Sequence, residues 1–297
     1  MSKVYDILII GGGPAGYTAA LYGARSGFAT AVLEKLSPGG QMATTSDVEN
    51  YPGFPGVVDG FELGERMQEG AEKAGAETFF AEVSKVDLLA DPKVVETSEG
   101  TFLGRTVILA TGAHPRKLGI PQEEALVNRG VAYCATCDGN FYKEKVVVVN
   151  GGGNTAVGDA LYLAKLASKV YLVHRRDTLR ATPIYLQRLK DAGVEIIWNS
   201  VVSGLQADKK LTGVELTDVK TGEKRVLPAD GLFVAIGQLP ESSLAAGQVA
   251  TDKAGYILAG EDTKTSVPGV FAVGDVRTKA VRQIITAAAD GAVAVHY

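Results

Sequence analysis

Cys134 and Cys137 are the only two cysteines among the 297 residues, and an acid, Asp138, directly follows the second in the run CATCDG. Two cysteines at this spacing can do one of three things. They can supply half of a zinc site, form an inert structural pair, or act as a redox-active dithiol that closes to a disulfide. Each possibility makes a different demand on the rest of the chain.

A zinc site would need two further ligands, which the three histidines would have to supply. They show no ligand pairing: His114, His174 and His296. A redox pair needs the two sulfurs to meet, which this spacing allows at the start of a helix, where a thiolate is stabilised. Asp138 adds the proton donor and acceptor that dithiol chemistry requires. The sequence therefore favours a redox-active dithiol, with an inert structural pair as the alternative.

A glycine loop near the N-terminus has the spacing Gly11-x-Gly13-x-x-Gly16. It follows an apolar strand and opens an alanine-rich helix, and the next strand ends at Glu34. In such a unit the glycines bring the backbone close to a pyrophosphate, which lies on the helix N-terminus, and the acid accepts hydrogen bonds from a ribose. The pattern over residues 5–35 predicts a site for FAD. The alternative is a glycine-rich turn without a ligand.

A second glycine loop, Gly151-x-Gly153-x-x-Ala156, repeats the strand, loop, helix and strand order. Basic residues follow its second strand where an acid would bind an NADH ribose, and they are Arg175, Arg176 and Arg180. Guanidinium groups suit a 2′-phosphate, so the pattern predicts NADPH; the alternative is a basic strand end in solvent. His174 is interpreted as a packed or solvated residue beside them. Two dinucleotide sites predict hydride transfer between nicotinamide and flavin.

These elements predict an α/β fold with two Rossmann-like nucleotide-binding domains. Further strand-like runs each end in glycine, which is typical of parallel strands whose carboxyl ends hold a ligand. The runs are residues 106–110, 232–236 and 270–273.

The second glycine loop lies inside the chain, between two clusters of proline and glycine near residues 112–119 and 236–243. Such clusters are typical of domain crossings. The sequence therefore predicts a discontinuous FAD domain, residues 1–114 and 244–297, with an inserted NADPH domain, residues 115–243, that carries both cysteines.

The composition restricts the partners. A net charge of −4 and a pI near 5.5 argue against nucleic acid, because they leave no basic excess. The longest aliphatic run, Val146–Val149, is far shorter than the roughly 18 residues of a membrane span. The first ten residues indicate a strand rather than a signal peptide. Two cysteines cannot form a disulfide scaffold, so we expect a cytoplasmic protein.

The ordered motifs GGGPAGYTAA, PGGQM, VENYPGF, ATGA, CATCDG, GGGNTAV, HRRDTLRA and GVFAVGDV, followed by RQ, resemble those of low-molecular-weight bacterial thioredoxin reductases from about residue 4 to the C-terminus. The resemblance implies that Cys137 is the sulfur nearer the flavin, that Cys134 attacks the disulfide of thioredoxin, and that Asp138 is the acid and base. It also implies a homodimer formed through the FAD domain, and an NADPH domain that rotates between two arrangements.

The resemblance also implies the residues that contact each cofactor. Those for FAD are Gly11, Gly13, Pro14, Ala15, Glu34, Gly40, Gln41, Asn50, Thr111, Gly112, Gly274, Asp275, Arg282 and Gln283. Those for NADPH are Gly153, Asn154, Thr155, Arg175, Arg176 and Arg180.

The chain departs from the family pattern in three places. Two acids commonly follow GGGNTAV, whereas this chain has Gly158 and Asp159, which affects a contact near the nicotinamide. Asn150 replaces an aliphatic residue at a strand end, and the last helix is expected to be shorter than in many relatives, which would weaken a dimer contact.

The alternatives to an NADPH-dependent thioredoxin reductase are a ferredoxin-dependent reductase, a reductase of another small disulfide protein, and a flavin-binding sensor or structural dimer without turnover.

Overall fold

The computed structural model describes residues 3–45, 47–181 and 184–297, and the chain forms two compact units. The first unit comprises Met1–His114 and Leu239–Tyr297, and the second comprises Pro115–Gln238. The proline and glycine pattern predicts the second boundary a few positions later, between residues 243 and 244. The cofactor assigned to each unit stays a prediction.

The strands and helices are numbered in chain order. The strands are β1 (Val4–Ile10), β2 (Thr30–Glu34), β3 (Glu77–Phe80), β4 (Val83–Asp87), β5 (Lys93–Thr97), β6 (Gly100–Leu109), β7 (Ala113–Pro115), β8 (Val131–Ala132), β9 (Val146–Asn150), β10 (Lys169–Val173), β11 (Glu195–Ile197), β12 (Ser200–Ala207), β13 (Leu211–Asp218), β14 (Lys224–Pro228), β15 (Gly231–Val234), β16 (Gln238–Pro240) and β17 (Val270–Ala272). The helices are α1 (Pro14–Arg25), α2 (Gly60–Lys73), α3 (Ala135–Asp138), α4 (Asn154–Leu163), α5 (Ile184–Asp191) and α6 (Ile284–His296).

The sheet of the first unit has the order β3-β2-β1-β6-β5-β4, and β17 also pairs with β6. Strands β1, β2, β3, β6 and β17 are parallel, while β4 and β5 are antiparallel to their neighbours. The parallel strands are continuous apolar runs because both faces of the sheet are covered; Leu8 and Ile9, which are adjacent and point to opposite faces, are both fully buried. Helices α1 and α6 pack together.

The sheet of the second unit is parallel, in the order β11-β10-β9-β15-β8. Valines 147–149 of β9 are fully buried at its centre. A separate antiparallel sheet contains β12, β13 and β14. The three further strands predicted from runs that end in glycine correspond to β6, β15 and β17, so the predicted α/β class is confirmed.

Two short strands, β7 and β16, carry the chain across the boundary between the units and pair as a two-stranded sheet. Within the second unit, the Arg116 N–H donates to the Gly237 carbonyl at 2.9 Å. Within the first unit, the Glu241 N–H donates to the Gly112 carbonyl, also at 2.9 Å. Each junction is therefore closed by a backbone hydrogen bond. Among the described residues, none of the helices is both long enough and apolar enough to cross a membrane.

Candidate active site

The two cysteines form a disulfide at the start of α3, with their Cα atoms 5.3 Å apart. Cys134 is the N-cap residue, and its Sγ accepts a hydrogen bond from the Cys137 N–H at 3.2 Å. After reduction, the same N–H can stabilise a thiolate on Cys134, because an amide at a helix start favours negative charge. The pairing that the spacing predicts is confirmed, and it leaves no thiol free for a metal.

Asp138 ends α3 directly behind Cys137. Burial raises the pKa of its carboxyl group to about 6. Burial raises the pKa of the nearby Tyr142 hydroxyl, and the charge of Asp138 raises it further. A carboxyl group with a pKa near neutrality can both hold and release a proton.

The first glycine loop lies between β1 and α1. Gly11 has φ +108°, and a β-carbon there would lie 2.5 Å from the Ala110 carbonyl oxygen. Gly13 is the N-cap of α1 and Pro14 its first residue. With no capping side chain, the first N–H groups of α1 remain available for a pyrophosphate.

Glu34 is held against this loop at the end of β2. Its carboxylate accepts a hydrogen bond from the Gly12 N–H at 2.7 Å and one from the Leu36 N–H at 3.0 Å. Both oxygens are thereby oriented beside the glycine loop, where a ribose hydroxyl would bind.

The segment containing Gly40 and Gln41 forms a second wall beside the loop. The Gly39 N–H donates to the Gly12 carbonyl at 2.8 Å, and a β-carbon on Gly40 would lie 3.5 Å from the Gly13 Cα. A 3₁₀ turn then runs over Gly40–Thr44. The structure therefore places Gly40 beside the glycine loop, as a common cradle requires.

The residues after β6 and β17 that are predicted to contact FAD lie at the same end of the sheet as the glycine loop. A β-carbon on Gly11 would lie 3.3 Å from the Thr111 nitrogen, and one on Gly274 would lie 3.1 Å from Ala15 Cβ. The Thr111 hydroxyl donates to the Glu241 carbonyl at 2.5 Å. The structure therefore brings together chain segments that are far apart in sequence.

Asn50 and Gln283 also meet, although 233 positions separate them. The Asn50 side-chain amide donates to the Gln283 side-chain oxygen at 3.0 Å. Gln283 is the N-cap of α6 and forms a capping box with Thr286. Arg282 lies 4.0 Å from the centre of the Tyr256 ring and donates to the Asp275 carbonyl at 3.4 Å.

Asp275 gives a direct test of whether a flavin nucleotide fits this cradle. Its Oδ1 is buried and has no hydrogen-bond partner within the described part of the chain, and burial raises the pKa of its carboxyl group. A buried acceptor without a donor costs free energy unless a ligand supplies one. The hydroxyl groups of a ribityl chain are such donors, so the residues present fit the group.

One buried residue of this region belongs to no recognisable sequence motif. Asp290, on α6, accepts hydrogen bonds from the Gly274 N–H, from Arg277 through both oxygens, and from Lys279, all at 2.6–2.8 Å. The network fixes the turn Gly274–Val276, which carries Asp275. The available signal was a lone acid in the apolar stretch IITAAADGAVAVH.

The second glycine loop has the same construction. Gly153 is the N-cap of α4, and the helix begins with Asn154 and Thr155. The Arg180 N–H donates to the Gly152 carbonyl at 2.8 Å. The backbone of the arginine segment is thereby tied to the loop that would hold the pyrophosphate.

His174 is packed beneath this loop. It is 6% exposed, and its ring leaves no space for a β-carbon on Gly152. Burial lowers the pKa of the imidazole, and the three nearby guanidinium groups lower it further; a hydrogen bond that the ring donates to the Thr178 backbone acts in the opposite direction. These guanidinium groups belong to Arg175, Arg176 and Arg180, which are exposed. The neutral ring supports the loop while the arginines remain available to a ligand.

The departures from the family pattern lie on α4 and at the end of β9. Gly158 is exposed, and a β-carbon there would contact nothing within 4 Å. Burial raises the pKa of the Asp159 carboxyl group to about 6. Asn150 is buried, and its carbonyl accepts a hydrogen bond from the Ala235 N–H at 2.9 Å.

Replacing Gly158 by alanine is expected to stabilise the protein by about 0.5–1 kcal/mol, because the helix accepts the methyl group and the unfolded chain loses freedom. Chemical denaturation measures the change. Gly222→Ala is the matched control: its added β-carbon also meets open space, but at φ +75° it should destabilise the protein. A destabilised Gly158→Ala variant would contradict the prediction.

The comparison with known proteins agrees with this geometry. Residues 5–291 match the family model described as pyridine nucleotide-disulphide oxidoreductase. Thioredoxin reductases from Listeria monocytogenes and Bacillus subtilis are each 45% identical over 294 residues, which is 98% of this chain and 92% and 93% of theirs. The crystal structure of a thioredoxin reductase from Streptococcus pyogenes matches with a TM-score of 0.91 and 44% identity, covering 100% of this chain and 97% of that one.

Proteins of this family use a flavin and a pyridine nucleotide, and the two glycine-loop cradles described above would each accommodate a dinucleotide. The redox disulfide at the start of α3 supplies the third component of a disulfide reductase. The chain therefore belongs to the pyridine nucleotide-disulphide oxidoreductase family, and within it to the thioredoxin reductases.

Proposed function

We propose that the protein is a homodimeric, cytoplasmic, NADPH-dependent reductase of thioredoxin that carries FAD. The observation that supports this most strongly is the Cys134–Cys137 disulfide at the start of α3, in a chain that also contains two dinucleotide cradles. The names of its relatives, thioredoxin reductase, support thioredoxin as the substrate.

FAD would be held by the residues gathered around the first glycine loop. The first free N–H groups of α1, which begin at Ala15 because Pro14 has none, would lie beside its pyrophosphate. Glu34 is oriented for a ribose, and Asp275 offers a buried acceptor. Bound FAD supplies a carrier that takes two electrons from a nicotinamide and gives them to a disulfide.

The reduced cysteine pair carries out thiol–disulfide exchange with thioredoxin. The Cys134 thiolate attacks one sulfur of the thioredoxin disulfide, so an S–S bond breaks and a mixed disulfide forms. The leaving thiolate takes a proton, which Asp138 would supply in its protonated form. The Cys137 thiolate then attacks Cys134, displaces the second thioredoxin sulfur as a thiolate that takes a proton from solvent, and restores the Cys134–Cys137 disulfide. Two thiols are oxidised and two sulfurs of thioredoxin are reduced.

Replacing Asp138 by asparagine is expected to slow the exchange by about a hundredfold at neutral pH, because asparagine cannot transfer a proton. Below pH 6 the wild-type carboxyl group is protonated and donates, and above pH 6 it is a carboxylate and accepts. The wild-type pH profile should therefore change slope near pH 6, and the variant's should not. Stopped-flow oxidation of the reduced pair by thioredoxin measures both effects. Unchanged turnover in Asp138→Asn would remove this residue from the mechanism.

Replacing Arg176 by alanine is expected to raise the KM for NADPH about ten- to hundredfold and to leave that for NADH nearly unchanged. The guanidinium contacts the 2′-phosphate that only NADPH carries. Steady-state rates with each nucleotide measure the split. Arg188→Ala, an exposed arginine on α5 of the same unit, is the control and should change neither value. Equal losses with both nucleotides would refute the phosphate assignment.

An anaerobic titration tests the proposed electron donor. Flavin absorbance should fall rapidly with NADPH and poorly with NADH, and thioredoxin should then restore it. A flavin that neither nucleotide reduces would favour a ferredoxin-dependent reductase instead. A flavin that NADPH reduces but thioredoxin does not reoxidise would indicate another small disulfide protein as the substrate.

A further inference from the structure

Glu123 is a buried carboxylate that the mechanism above does not use. It is 2% exposed and precedes a 3₁₀ turn over Glu124–Leu126. Its Oε1 accepts hydrogen bonds from the Leu118 N–H and the Tyr133 hydroxyl, each at 2.9 Å, and its Oε2 accepts one from the Gly119 N–H at 2.8 Å. These three hydrogen bonds offset much of the free-energy cost of burying the carboxylate, so Glu123 has a defined position inside the second unit.

The donors come from two segments. Leu118 and Gly119 lie a few residues after the chain enters the second unit, and Tyr133 immediately precedes Cys134. The neighbouring Lys117 pairs with the exposed Glu124 and not with Glu123. Burial, and then the hydrogen bond and charge of Glu123, raise the pKa of the Tyr133 hydroxyl, so that hydroxyl stays a donor. Glu123 therefore anchors the residue next to the redox pair.

The position of the Cys134 sulfur depends on the backbone conformation at Tyr133, the residue immediately before it. Cys134 is the N-cap of α3, with φ −137° and ψ 107°, and its Sγ receives the Cys137 N–H. Its Sγ also lies 3.5 Å from the Thr136 hydroxyl. Both donors stabilise a thiolate only while the sulfur stays at this position. If Tyr133 loses its hydrogen bond to Glu123, the backbone on the N-terminal side of Cys134 is freer to move. The hydrogen bonds from the Cys137 N–H and the Thr136 hydroxyl to the Cys134 sulfur are then weakened.

We propose that Glu123 is a positioning residue for the redox pair: by holding Tyr133 it fixes Cys134 at the helix start and keeps its thiolate stable. The inference rests on the proposed function, because it concerns the same thiol. Two effects of Glu123 oppose each other. Its charge alone would destabilise a nearby thiolate, whereas its anchoring of Tyr133 stabilises the thiolate through geometry.

Two variants distinguish the effect of the Glu123 charge from the effect of its hydrogen bond to Tyr133. Tyr133→Phe removes the anchored hydroxyl and keeps the charge, so only the positioning effect is lost. Glu123→Gln removes the charge and weakens the anchor. If positioning dominates, both variants make Cys134 less acidic; if the charge dominates, Glu123→Gln makes it more acidic. Glu124→Gln is the matched control, an exposed acid one position away.

The test uses the full-length, flavin-loaded protein in a Cys137→Ser background, where Cys134 is the only thiol of the chain. Iodoacetamide alkylation is followed by mass from pH 5 to 9. Tyr133→Phe and Glu123→Gln should react about three- to tenfold more slowly at pH 6, with the thiol pKa raised to match, and Glu124→Gln should react at the parent rate.

Two results would overturn the proposal. Parent alkylation rates in Tyr133→Phe, with or without a lower melting temperature, would make the cluster merely structural. Faster alkylation in Glu123→Gln would show that charge outweighs position. The assay uses neither thioredoxin nor a nicotinamide, so its failure is distinct from failure of the proposed function, which the thioredoxin assay reports.

Discussion

Replacing Cys134 by serine is expected to lower thioredoxin reduction by at least about a thousandfold, because the residue that we propose attacks the substrate disulfide would have lost its sulfur. The proposed flavin cradle belongs to the other unit of the chain, so flavin absorbance and its loss on addition of NADPH should persist. Turnover with thioredoxin and anaerobic spectra of the same sample measure the two properties.

Cys137→Ser is the matched partner of this experiment. It keeps the attacking sulfur and loses the resolving one, so it should accumulate a mixed disulfide with thioredoxin that mass spectrometry detects under non-reducing conditions. If Cys134→Ser formed that adduct and Cys137→Ser did not, the two sulfurs would have exchanged roles. If neither variant lost turnover, the disulfide would not be the redox centre.

Replacing Asp290 by asparagine is expected to destabilise the protein by about 3–5 kcal/mol, because Arg277 and Lys279 would remain buried without the carboxylate that forms their ion pairs. The Gly274 N–H would also lose its charged acceptor, so the turn that carries Asp275 would loosen and flavin affinity should fall. Chemical denaturation and flavin titration of the apoprotein measure the two losses.

The same network predicts a pH dependence. Burial alone would raise the pKa of Asp290, but its hydrogen bonds with Arg277 and Lys279 lower it below the usual value. Its contribution to stability is therefore complete above pH 4 and is lost as the pH falls through the lowered value. Asp208→Asn, an exposed acid, is the control and should change stability little. An Asp290→Asn protein as stable as wild type would show that the ion pairs add nothing.

The parallel strands and glycine loops were predictable because they are local features. A strand buried on both faces is a continuous apolar run, as Val146–Val149 is, and a glycine loop must follow it where a backbone approaches a ligand. The redox pair was predictable for the same reason, since three consecutive peptide units set the distance between its sulfurs. The antiparallel strands β12–β14 carry no such loop motif, so they were not predictable in the same way.

The charged positioning residues were not predictable because their partners lie far along the chain. Asp290 contacts residues 11–16 positions away, and Glu123 reaches Tyr133 across ten positions. A lone acid on a helix usually marks its solvent face, so only the tertiary structure, in which the turn after β17 packs on α6, shows that Asp290 is buried. The contact between Asn50 and Gln283 is likewise a product of tertiary structure.

The two hydrogen bonds that close the junctions bring the two ends of the second unit together, so this unit is a single insertion into the chain of the first. Its ends meet at Arg116 and Gly237, and the host chain meets at Gly112 and Glu241. The first unit therefore accommodates more than a hundred inserted residues at the entropic cost of closing a short loop. The inserted unit has its own sheet and its own hydrophobic core. Because both ends of residues 115–238 lie together, a change in the length or sequence of this segment leaves the strand pairing of the host sheet intact, and both cysteines belong to the inserted piece.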